Sequence, residues 1–66
     1  MQIVVNGETK KIEQELNLRQ LLEKLELPTE RIAIELNKEV VRKKDWETRK
    51  IADSDKIEII HFVGGG

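Results

Sequence analysis

Leu18, Leu21, Leu22 and Leu25 fall at i, i+3, i+4 and i+7, the spacing that puts four side chains on one face of an α-helix. Asn17 stands where the N-cap belongs, and Gln20 three residues on completes a capping box. Leu16 and Leu21 then occupy the two positions of a hydrophobic staple. Pro28 marks the far end. The result is a helix of about two and a half turns, too short to persist alone in water. Its leucine face must lie on something apolar, and the rest of the chain is patterned as strands. A single short helix that needs a sheet beneath it limits the possible architectures more than any other feature here.

The strands can be read from period-two alternation and turn residues. "MQIVVNGETKKIE" predicts a β-hairpin, because Asn6-Gly7 is the preferred pair for a two-residue type I′ turn. Its return strand, about Glu8 to Glu13, is polar in the manner of an edge strand. In "RIAIELNKEVV", Ile32, Ile34 and Leu36 alternate with Arg31, Ala33 and Glu35. Asn37-Lys38 turns the chain, and Val40-Val41 begin a short return. "RKKDWETRKI" reads as irregular or as a short 3₁₀ turn, with Trp46 plugging one end of the core. "DSDK" at Asp53–Lys56 is a turn, and "KIEIIHFV" is the last strand. That strand is apolar on both faces and so belongs in the centre of the sheet. The expected fold is α+β, a β-grasp (ubiquitin-like) mixed sheet of four to five strands with one main helix packed on one face. The strand order would be 2-1-5-3-4.

At 66 residues the chain makes one domain and buries only about 60% of its unfolded surface. The expected division is a β-grasp domain over 1–63 and a flexible glycine tail over 64–66. With no Cys and one His, neither a disulfide nor a thiolate metal centre is available, and no metal site is expected. The net charge is −1 with both signs interspersed. "RKK" at Arg42–Lys44 is flanked by acids, so the clustered basic face of a nucleic-acid binder is missing. No apolar run nears the roughly 20 residues of a membrane span, and no signal-peptide pattern is present. The expected location is cytoplasmic.

Alternation in the last strand places Ile57, Ile59, His61 and Val63 on one face and Glu58, Ile60 and Phe62 on the other. Ile57 and Ile59 should meet the helix leucines together with Ile3, Val5, Ile32 and Ile34. Ile60 and Phe62 then point to the open face, near Val4 and Ala33 of the flanking strands. With Val63, these form a candidate partner surface, since an exposed apolar patch rimmed by charge commonly marks one. His61 alone makes a poor catalyst. No Ser/His/Asp set, phosphate-binding glycine loop or paired carboxylates suggest chemistry, and the chain is not expected to be an enzyme.

Three consecutive glycines, Gly64, Gly65 and Gly66, follow this strand. At ordinary glycine usage such a run has a chance of about 0.0003. A frayed terminus would account for mobility but not for the purity of the run.

The start "MQIVVNGE", the helix "LRQLLEKLEL", the centre "IAIELNKEVV", the Trp in "KKDW", the stretch "DSDKIEII" and the end "HFVGGG" together resemble the ThiS family. These are ubiquitin-like sulfur carriers of thiamine biosynthesis, and the similarity runs along essentially all of the chain. The resemblance implies that a partner adenylating enzyme (ThiF-like) uses ATP to convert the Gly66 carboxylate to an acyl-adenylate. Sulfur, drawn from cysteine through a desulfurase, then gives a thiocarboxylate, and thiazole synthase (ThiG-like) accepts it. The carrier itself would bind no cofactor. Two alternatives stay open: the small subunit of molybdopterin synthase, which shares the fold and the Gly-Gly end, and a ubiquitin-like interaction module without acyl chemistry.

Overall fold

The computed structural model describes residues 1–63. The expected tail, 64–66, lies outside the described residues. The elements in chain order are β1 (Gln2–Val5), β2 (Glu8–Lys11), α1 (Leu18–Lys24), β3 (Ile32–Leu36), β4 (Glu39–Val41), a 3₁₀ turn (Lys43–Asp45) and β5 (Lys56–His61). The five strands form one sheet of order β2-β1-β5-β3-β4. β1 and β5 run parallel, and the other neighbours are antiparallel. The sheet is therefore the expected mixed β-grasp, with the apolar strand in its centre.

Both hairpins turn through pairs of left-handed residues. Asn6 and Gly7 have φ of 49° and 82°, and Asn37 and Lys38 have φ of 52° and 72°. These are the two positive values that a type I′ turn demands. The Asn37 side chain also reaches the neighbouring strand at the same end of the sheet. Its Nδ2 donates to Asp55 Oδ1 and its Oδ1 accepts from the Lys56 N–H, both at 2.9 Å. One turn residue thus ties the β3–β4 hairpin to the start of β5.

Asn17 caps α1 as expected. Its Oδ1 accepts from the Gln20 N–H at 2.8 Å, and Gln20 Oε1 accepts from the Asn17 N–H at 2.9 Å. The helix ends earlier than Pro28 requires. Glu26 takes φ of 58°, the Leu27 N–H donates to Leu22 O, and the Glu26 N–H donates to Glu23 O. This is a Schellman motif, with glutamate where glycine is usual. The helix is accordingly seven residues long, about two turns, and the stop is made by backbone hydrogen bonds before proline acts.

Leu18, Leu21 and Leu22 are buried, and Leu25 is packed against the core. They cover Ile3 and Val5 of β1, Ile32, Ile34 and Leu36 of β3, Val41 of β4 and Ile57 of β5. Ile59 packs against this cluster but is only partly buried. Trp46 closes one end, with its Nε1 donating to Val41 O at 2.9 Å, so its single polar atom is satisfied inside the core. Ile12 and Ile51 join the cluster from segments read as polar strand and irregular loop. β2 stops at Lys11, short of the expected Glu13, because Ile12 turns into the core.

Candidate functional site

The helix covers one face of the sheet and leaves the other open. Register decides what that open face displays. Ala33 pairs with Ile60, and Glu35 pairs with Glu58. Cross-strand partners share a face, so Ala33, Ile60, Glu35 and Glu58 all point away from the helix. Ile60 is 48% exposed, Phe62 53% and Val63 84%. Phe62 still belongs to the sheet in its backbone, since its N–H donates to Arg31 O at 3.0 Å. The apolar strip is thus a presented surface that leads to residue 63.

Ala33 lies beside Ile60 as expected, but Val4 does not. Val4 pairs with Thr9 on one side and Lys56 on the other. Lys56 is four residues before Ile60, about 13 Å along the strand. Val4 shares the open face with Ile60 yet sits at its far end, with Glu58 between them. The cause is the parallel β1–β5 register, which no hairpin turn dictates. Val40, 70% exposed and paired with Glu35, joins the open face instead. Its alternation with buried Val41 was the available signal.

Glu35 and Glu58 face each other across β3 and β5, both half-buried. Like charges placed so are mildly destabilising. The ion pair found among the described residues, Arg19 Nε to Glu47 Oε1 at 3.6 Å, is elsewhere. The apolar strip of Ile60 and Phe62 is therefore bounded on one side by negative charge.

A different hydrogen bond fixes how β5 leaves the sheet. β1 pairs with β5 only at Val4 and Val5. Beyond them the Asn6 N–H donates to Ile57 O at 2.9 Å, and Asn6 Oδ1 accepts from the Ile59 N–H at 2.7 Å. Asn6 thus serves both the type I′ turn and the anchoring of β5. Residue type announced the first role. The second depends on a contact 53 positions away in sequence.

Among the described residues no group of three or more metal-ligating side chains converges, and no helix is long and apolar enough to cross a membrane. A cleft of about 330 Å³ is lined by Glu39, Val40, Val41, Arg42, Asp45, Thr48 and Arg49. It contains no residue of β5. His61 is exposed. What β5 offers is a presented strip of side chains and a direction of exit. Gly64, Gly65 and Gly66 follow it, outside the described residues.

The sequence model of the ThiS family matches residues 3–66, a span that includes all three glycines. A crystal structure of thiamine biosynthesis protein ThiS from Geobacter metallireducens superposes with a TM-score of 0.88 at 32% identity, covering all of both chains. The sulfur carrier protein ThiS of Bacillus subtilis is 39% identical over 49 residues, 74% of either chain. A thiazole synthase from Paramagnetospirillum magneticum is 35% identical over all 66 residues, which make up 20% of its length. The chain therefore spans about a fifth of that larger relative.

Proposed function

The chain belongs to the ThiS family, and on that footing we propose that it is a sulfur carrier protein of thiamine biosynthesis whose reactive group is the Gly66 carboxylate. A terminal carboxyl ordinarily ionises near pH 3.3–3.7. At neutral pH it is an anion and a poor electrophile. Attack of a carboxylate oxygen on the α-phosphorus of ATP releases pyrophosphate and gives an acyl-adenylate. The terminal sulfur of a persulfide donor then displaces AMP to give an acyl disulfide, and a thiol reductant cleaves its S–S bond by a two-electron reduction, leaving one sulfur on the acyl carbon as a thiocarboxylate. Thiazole synthase is the acceptor. The occurrence of a segment similar to this chain within a larger protein named thiazole synthase supports that pairing.

The carrier acts as protein co-substrate and not as catalyst. An adenylating partner therefore supplies ATP, the cation that accompanies it, and the electrostatic stabilisation of the reaction. This chain supplies a docking strip of Ile60, Phe62, Val63 and Ala33, and a reach. If fully extended, four residues such as Val63 to Gly66 would span about 13 Å. Three residues without Cβ atoms can thread a channel that side chains would block. Ordering them on docking costs roughly 1–2 kcal/mol each, which burial of the exposed Ile60 and Phe62 surface offsets. The cysteine desulfurase acts upstream, on the sulfur rather than on this fold.

The observation that carries the reading is the family match extending through Gly66, joined to an exposed apolar strip on the strand that leads there. Removing Gly66, or appending residues after it, is expected to abolish sulfur transfer while the fold stays intact. Full transfer by either variant would refute the role of that carboxylate.

A further inference from the structure

The central strand is flanked unequally. On its β3 side β5 has five paired positions, from Leu36–Ile57 to Ile32–His61. On its β1 side it has two, and then the Asn6 side chain takes the Ile59 N–H. The Ile59 N–H points to the β1 side, and the Phe62 N–H points to the β3 side, at Arg31 O. Strand alternation therefore turns the Ile59 C=O and both backbone groups of His61 toward the β1 side, above the Asn6-Gly7 turn, where no strand of this chain lies among the described residues.

Sheets normally blunt such edges with charge, proline or brevity. The two outer edges here follow that practice: β2 carries Glu8, Lys10 and Lys11, and β4 has three residues beginning with Glu39. The segment Ile59–Val63 has neither lysine nor proline. It is an undefended edge adjoining the exposed Ile60 and Phe62 and leading into the glycines.

We propose that the β1-side edge of β5, from Ile59 to Val63, is a strand-addition site that an extended segment of the adenylating partner occupies, pairing main chain to main chain. This rests on the sulfur-carrier reading and specifies how the partner grips the exit strand. Backbone pairing suits this segment because it holds a strand in register without depending on side chains. A grip of that kind could aim a tail that has none.

The test separates N–H from side chain. Affinity for the adenylating enzyme, with ATP present, is measured for the full chain and for His61→Ala and His61→Pro. His61→Ala keeps the N–H and is expected to bind within about twofold of the parent. His61→Pro removes it and is expected to bind at least about tenfold more weakly, the size of one lost main-chain hydrogen bond. Proline also constrains φ, so a chemically synthesised full-length chain with an ester oxygen in place of the His61 N–H is measured alongside. Its thermal unfolding reports fold integrity, and weakening like that of His61→Pro is expected. Binding of the ester chain equal to the parent overturns strand addition alone. A parent chain that neither binds nor is adenylated overturns the sulfur-carrier reading, and this proposal with it.

Discussion

Phe62→Ala should separate docking from folding. Phe62 is 53% exposed. An aromatic side chain offers about 200 Å², so about 100 Å² remains for a partner to cover. At ~25 cal/mol per Å² that area is worth about 2.5 kcal/mol, an upper figure because no interface buries every atom perfectly. The expected loss of affinity for the adenylating partner is therefore about 10- to 60-fold. Stability should fall by about 1 kcal/mol or less, since half the ring already faces water. Ile57→Val is the control. Ile57 is fully buried, and losing its methyl group costs about 0.5–1.5 kcal/mol. In a domain of this size that lowers Tm by about 4–8 °C per kcal/mol, with affinity unchanged. Calorimetric titration against the adenylating enzyme, paired with urea unfolding, reads both quantities. Phe62→Ala binding within twofold of the parent would refute the assignment of this strip as the docking surface.

Two further substitutions test the fold. Glu26→Gly relieves a left-handed residue at the helix C-terminus (φ 58°) and should stabilise by about 0.5–1 kcal/mol in urea unfolding; a loss would mean that the glutamate side chain contributes something the strain argument omits. Asn37→Ala removes two side-chain hydrogen bonds to Asp55 and Lys56 and leaves alanine at φ 52°. It should cost about 1–3 kcal/mol and speed hydrogen exchange at the Lys56 amide, and unchanged exchange there would show that the clamp does not hold β5.

Local signals carried much of this structure. Asn17 and Gln20 announced the capping box, Asn6-Gly7 announced the first turn, and the doubly apolar "KIEIIHFV" announced the central strand. Strand order followed, because one helix and a central fifth strand leave few arrangements. Long-range effects were invisible. Val4 lies far from Ile60 because the parallel β1–β5 register comes from packing, not from a turn. Ile12 and Ile51 enter the core from stretches with no periodic pattern. The Schellman stop at Glu26 carries no glycine to betray it. Asn6 and Asn37 were legible as turn residues, but their hydrogen bonds to β5 and its approach required the folded chain. At the site, the apolar face of Ile60 and Phe62 followed from alternation alone, whereas Val40 and the Glu35–Glu58 pairing needed the register.

The central claim is that the Gly66 carboxylate is the group on which chemistry occurs. Intact mass measurement, after incubating the full chain with an adenylating enzyme and ATP, tests it most directly. The account predicts an adenylated chain whose extra mass maps to Gly66, and, once a persulfide sulfur donor and a reductant are added, exchange of one oxygen for sulfur there. A chain that keeps its original mass, beside a ThiS protein that the same enzyme does modify, would contradict it.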